Sequence, residues 1–356
     1  MITFYPGPSK VYPELAQYIQ EAFDSGLISA NHRSEAFMQM LGDTISLLKQ
    51  KLEVPADYEV YFVSSATECW EIIAQSVISE SSFHYYNGAF GEKWREYTQK
   101  LNVNAAGQFF DPEELPDVEA FAGLTGKEIV CLTHNETSNG TALPASFLHG
   151  LRSKISNIIA VDATSSMAGV ILPWFSADIW YASVQKCFGL PAGMGVMMVS
   201  PRAVEAAMQI GERGHYNSLL FIRDNFVKNQ TPYTPNTLGI YLMNKAMQQV
   251  PPISEVASKT VERADNWYQF LPENGYELLV NDAAVRSETV IAVKDTKEQI
   301  AAIKKAAKVA GIVLGNGYGR DKDISFRIAN FPAIADDEIS TLKAFLKSFR
   351  AQSGNE

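Results

Sequence analysis

The run IWYASVQK at 179–186 ends in a lysine. Its first four residues are apolar or aromatic, the pattern of a strand buried on both faces, and lysine is among the residues least often found inside. A second apolar run, IIAV at 158–161, closes on Asp162. A third, YEVYFV at 58–63, opens into Ser64-Ser65-Ala66-Thr67-Glu68. Singly, each has an ordinary explanation: a solvated lysine, a turn-forming aspartate, a helix N-cap with Glu68 in a capping role. Jointly they suggest more, because ligands of open parallel sheets sit beyond the carboxyl ends of the strands. An amine, a carboxylate and a cradle of hydroxyl and N–H donors at a helix N-terminus suit pyridoxal 5′-phosphate. The amine would bond to the cofactor and later move protons. Asp162 would keep the pyridine nitrogen protonated, and the cradle would hold the phosphate. A buried lysine–aspartate pair is tolerable because each charge has a partner.

Those residues require a sheet whose strands run mainly parallel. Strand patterns at 58–63, 83–86, 128–133, 158–161, 179–184 and 195–200 alternate with helical patterns at 13–23, 34–52, 66–77 and 89–101, with another after Pro201. That alternation predicts an α/β fold, a mainly parallel sheet covered by helices on both faces. Beyond residue 250 the style changes. Pro251-Pro252 precedes a helix over 253–270, followed by a strand at 289–293, a helix at 297–310, a strand at 324–329 and a helix at 336–349. The expected organisation is a large cofactor-binding domain over 15–250 and a smaller α+β domain built from 1–14 and 251–356.

The 356-residue chain is 46% hydrophobic and 20% charged, with a formal net charge of −10. An acidic balance argues against nucleic-acid binding and against adhesion to anionic membrane. The cysteines Cys69, Cys131 and Cys187 are an odd number without a disulfide framework, which favours a reducing compartment. The N-terminus lacks a basic region followed by an apolar run, and no stretch approaches the ~18 apolar residues of a membrane span; the expectation is a cytoplasmic protein. His32, His84, His134, His149 and His215 lack ligand spacing, so no metal site is expected. GLPAGMG at 189–195 lies mid-chain with the wrong spacing for a dinucleotide fingerprint.

DATSSMAG at 162–169, followed by YASVQKCFGLPAGMGVMMVS at 181–200, resembles the class V, fold-type I aminotransferases. Further matching segments occur in order: FYPGPSKV at 4–11, NHRSEAF at 31–37, SSATE at 64–68, NGAFGEKW at 87–94, HNETSNG at 134–140, YTPNTLGIY at 233–241 and FRIANFP at 326–332. The resemblance implies a homodimer with shared active sites that acts on amino acids and 2-oxo acids. It implies that Lys186 carries the cofactor, Asp162 pairs with the pyridine nitrogen, Thr137 donates to the phenolic oxygen and Phe90 stacks on the ring. Ser65, Ala66, Thr67 and Gln185 would hold the phosphate, with Thr234 supplied by the neighbouring subunit.

A transaminase must hold a carboxylate, which a bidentate arginine does best. Arg327, inside the apolar run ISFRIA, is the candidate; a buried structural ion pair is the alternative. In the phosphoserine aminotransferases of this family a segment like His32-Arg33-Ser34 reaches a neighbouring site and meets the substrate phosphate. Glyoxylate-type members carry it too. The leading expectation is the O-phosphoserine:2-oxoglutarate reaction. The alternatives are a serine, alanine or aspartate aminotransferase acting on glyoxylate or pyruvate and, more remotely, a binding protein without turnover. Cys187, beside the lysine, is poorly placed to be a desulfurase nucleophile.

Overall fold

The computed structural model describes residues 1–101 and 103–353. In chain order its strands are β1 (Ile2–Phe4), β2 (Glu59–Val63), β3 (Ser81–Tyr86), β4 (Asn104–Phe109), β5 (Ile129–Thr133), β6 (Asn135–Glu136), β7 (Thr141–Ala142), β8 (Ile159–Asp162), β9 (Ile179–Ser183), β10 (Gly195–Val199), β11 (Glu277–Leu278), β12 (Val290–Lys294), β13 (Ile312–Asn316) and β14 (Ser325–Ala329). The helices are α1 (Leu15–Asp24), α2 (Glu35–Leu52), α3 (Ala66–Ser76), α4 (Ala89–Lys100), α5 (Ala145–Lys154), α6 (Pro201–Ile210), α7 (Leu219–Phe226), α8 (Thr237–Gln249), α9 (Ile253–Glu273), α10 (Lys297–Val309) and α11 (Asp336–Ser353).

Seven strands form one sheet in the order β2-β10-β9-β8-β5-β3-β4. The pairs from β9 through β4 are parallel, whereas β10 is antiparallel to both β9 and β2. The reversal has a simple cause. Parallel neighbours need a crossover, usually helical, and residues 184–194 contain no helix. Successive residues of the central strands feed opposite faces. Trp180 and Ala182 of β9 join one apolar cluster while Ile179 and Tyr181 join the other, and Val130/Leu132 and Ile129/Cys131 of β5 divide the same way. Burial on both faces is why these strands read as unbroken apolar runs.

The second sheet has the order β1-β13-β14-β12-β11. It is antiparallel except at its edge, where β1 lies parallel to β13, Ile2 opposite Ile312 and Phe4 opposite Leu314. The chain's first residues thus join strands built from its last quarter.

Helix starts follow local chemistry. Ser34 caps α2 by accepting from Phe37 N, Ser65 caps α3 by accepting from Glu68 N, and Ser200 caps α6 with Pro201 in the first turn. Among the described residues no helix is long and apolar enough to cross a membrane.

Candidate active site

Adjacent parallel strands bring Thr133 of β5, Asp162 of β8 and Tyr181 of β9 into one row, Thr133 opposite Asp162 and Asp162 opposite Tyr181. The chain beyond each strand end then surrounds one cavity of about 360 Å³. Ala66, Thr67, Phe90, Thr137, Asp162, Gln185, Lys186 and Arg327 all line it.

Lys186 is only 7% exposed. Its Nζ donates to Ser165 Oγ at 2.8 Å and Thr137 Oγ1 at 3.0 Å, and those two hydroxyls bond to each other. Burial lowers its pKa to about 8; Asp162 pulls upward and Arg327 pushes further down. Asp162 is pushed the other way: burial raises its carboxyl, opposed by Thr164, Lys186 and Tyr181. Its Oδ1 accepts from Thr164 N at 2.8 Å.

The N-terminal segment walls the lysine in. Gly7 has φ +134°, and a Cβ there would come within 2.6 Å of Lys186 Cε. Ser9 N donates to Gln185 O at 3.0 Å, tying the segment to the residue before the lysine. Only glycine satisfies both the backbone angle and the contact.

Phe90, half-buried at the start of α4, has its ring centroid 5.4 Å from Lys186 Nζ and stacks on Tyr318 at 5.1 Å. Its helix is held by the buried Glu136, whose Oε2 accepts from Phe90 N at 3.1 Å and Gly91 N at 3.2 Å; Ser138 Oγ accepts from Ala89 N. A Cβ at Gly88 would lie 2.3 Å from Glu136 Cγ, so the carboxylate occupies the space that glycine leaves.

Arg327 is 3% exposed. Nε donates to Asn316 O at 2.7 Å and Nη1 to Thr137 O at 2.6 Å. Burial pushes its pKa down to about 10, still charged at neutral pH. Among the described residues it makes no ion pair, so the structural alternative of a buried salt bridge is absent.

The other expected residues lie elsewhere. Ser65 does not line the cavity, and its hydroxyl accepts from Glu68 N. His32, Arg33 and Thr234 also stay outside this chain's cavity. Arg33 does not pair with Glu35; its Nη1 donates to Gln230 Oε1 at 2.7 Å, which joins the 31–34 segment to the loop leading to Thr234. Three polar groups escaped sequence reasoning: Thr133 Oγ1, Asn135 Nδ2 and Thr164 Oγ1 are buried at the cavity wall without hydrogen-bond partners. Asn135 is oriented by Ser287, which donates to its Oδ1 at 2.6 Å and leaves Nδ2 free. Each lies within two residues of a strand end, the only sequence signal they offer.

The aminotransferase class-V profile matches residues 3–319. The chain belongs to the class-V aminotransferases. It is accordingly a pyridoxal-phosphate-dependent aminotransferase. The phosphoserine aminotransferase of Rhodococcus opacus (strain B4) is 28% identical over 353 residues, spanning 94% of this chain and 91% of its own. A phosphoserine aminotransferase structure from Cytophaga hutchinsonii superposes with a TM-score of 0.91 at 33% identity, covering 98% of both chains. An aspartate aminotransferase from Thermus thermophilus shares the fold at a TM-score of 0.86 and 19% identity, covering 99% of both chains.

The residues present in this aminotransferase fit the cofactor that its family implies. Unpartnered buried polar atoms cost about 1–3 kcal/mol each, and here they ring a cavity beside an amine, a carboxylate and the N-terminus of α3. A flat polar heterocycle with an anionic tail would satisfy them. The lowered Lys186 pKa has a direct consequence. Only the neutral amine attacks an aldehyde, so if Lys186 is the attachment point, cofactor-free protein should take up pyridoxal 5′-phosphate at a rate that rises with pH around a midpoint near 8. A midpoint near the ordinary lysine value of about 10.4 would mean that burial does not depress this amine.

Proposed function

We propose that Lys186 carries the cofactor and that the enzyme exchanges amino groups between glutamate and 3-phosphohydroxypyruvate, giving O-phosphoserine and 2-oxoglutarate. The observation that carries the transaminase reading is Arg327: a buried guanidinium without a carboxylate partner among the described residues, lining the same cavity as Lys186 and Asp162. A buried charge is stabilised only when paired, and a substrate α-carboxylate would complete the set. Similarity along the whole chain to phosphoserine aminotransferases supports the choice of substrate.

When bound, the cofactor supplies an electron sink for charge developing at the substrate Cα. The protein's share is positioning and proton movement. Asp162 would hold the pyridine nitrogen, Thr137 the phenolic oxygen, and Phe90 one ring face. Ala66 and Thr67 at the start of α3, with Gln185, would meet the phosphate. Ser65 would contribute by capping that helix. Lys186 Nζ would take the proton from the substrate Cα and deliver it to the cofactor's C4′, as an amine tuned near 8 can do in either direction. In a homodimer, Thr234 would reach the second subunit's phosphate site and His32 and Arg33 its substrate.

Because glyoxylate-type relatives also carry an HRS segment, a second reading stands beside the first: transfer from serine, alanine or aspartate to glyoxylate or pyruvate. Two substitutions separate the readings. Arg327→Ala should weaken every amino-acid substrate, because all share the α-carboxylate. Arg33→Ala should raise KM for O-phosphoserine about ten- to a hundredfold, the worth of one ionic hydrogen bond, and affect glutamate far less. Efficient turnover of serine or alanine with none of O-phosphoserine would select the second reading.

A further inference from the structure

Among the described residues the cavity lining contains three cations, Lys93, Lys186 and Arg327, against a single carboxylate, Asp162. Lys186 and Arg327 have roles in the proposed transamination; Lys93 has none. Given that transamination, on which the assignment rests, we propose that Lys93 binds the distal anion of the substrate and so selects amino acids that carry a second negative group.

Lys93 follows Phe90 by three residues on α4, which places both side chains on one helix face. Its ammonium donates to the Tyr318 hydroxyl, 4.8 Å from that ring's centroid and 5.9 Å from the centroid of Phe90. The Arg327 guanidinium lies 5.5 Å from the same Tyr318 centroid. Two cations therefore adjoin one tyrosine ring, a spacing suited to a small molecule with an anion at each end.

The occupancy of Lys93 fits this use. An ammonium has three donors; Tyr318 takes one, and no carboxylate pairs with Lys93 among the described residues. The side chain is half-buried, so water can solvate it until an anion replaces that water. Arg33 and His32 are absent from the lining, whereas Lys93 enters it from its own chain. Glutamate and O-phosphoserine both present a second anion; alanine does not.

The test measures kcat/KM for the half-reaction of the holoenzyme, followed by cofactor absorbance, with glutamate, O-phosphoserine and alanine. Lys93→Met should lose about ten- to a hundredfold more efficiency on the two dianionic amino acids than on alanine. Lys93→Gln should show the same ratio, and Lys93→Arg should recover most of it. Equal losses on all three substrates, or no loss on glutamate and O-phosphoserine, overturn the assignment. A wild-type enzyme that uses glutamate in a Lys93-dependent way but rejects O-phosphoserine would sink the phosphoserine reading and leave Lys93 in place. O-phosphoserine turned over equally well by wild type and Lys93→Met would do the reverse. Rejection of both dianionic amino acids by the wild type overturns both.

Discussion

Lys186→Ala is expected to yield a folded protein with no measurable transamination and no cofactor that borohydride can fix to the chain. In the proposed reaction the lysine has two duties, covalent attachment and proton transfer between carbons, and a methyl group performs neither. General acid–base catalysis alone contributes about 10²–10⁴-fold, and loss of the covalent link adds to it. The fold should persist because the amine is a charge held in a dry place. Its removal relieves a desolvation cost that has already lowered the pKa to about 8. Thr137 and Ser165, its two acceptors, keep their bond to each other. Circular dichroism and thermal melting would establish folding, and reduction followed by mass measurement would find the fixed cofactor. Fixed cofactor in the alanine variant would place the attachment on another lysine.

Asp162→Asn should bind cofactor yet lose about 10²–10³-fold in turnover. A neutral amide has nearly the same shape, and its oxygen can still accept from Thr164 N as the carboxylate does at 2.8 Å. What it lacks is the charge that, in the role proposed for Asp162, keeps a pyridine nitrogen protonated. In a water-poor site such an electrostatic partner is worth several kcal/mol of barrier. The aspartate is buried enough that its own carboxyl is pushed up, and Lys186 and Tyr181 are among the groups that oppose this. Near-normal turnover in the asparagine variant would reduce Asp162 to a strand cap.

Legibility in the sequence followed burial. β8 and β9 were readable because each of their residues is enclosed, which leaves an apolar run ending abruptly in the polar group that matters. β4 was not: NAAGQF sits at the sheet edge, largely exposed, and carries no alternation to detect. α8 escaped because it begins inside YTPNT, a segment whose proline and polar residues read as a loop. In the site, Thr137 came only from the family resemblance, whereas Lys186, Asp162 and Arg327 stood out as polar groups in or beside apolar strands. Asn135 did not, because its role depends on Ser287, 152 residues away, fixing the amide's orientation. Tyr318 escaped for the same kind of reason. Its stacking on Phe90 and its bond to Lys93 join distant parts of the chain that no local pattern connects.

The pairing of β1 with β13 joins residues far apart in the chain, Ile2 with Ile312 and Phe4 with Leu314. Closing so long a loop costs only slightly more than closing a shorter one, so the separation in sequence is easy to bridge. Residues 5–9 come directly after β1; Gly7 lies against the Lys186 side chain and Ser9 N is bonded to Gln185 O. The edge of the second sheet therefore tethers the strap that walls in the lysine, and weakening that edge would loosen the chamber without altering any residue from Ala66 to Lys186 named for the cofactor.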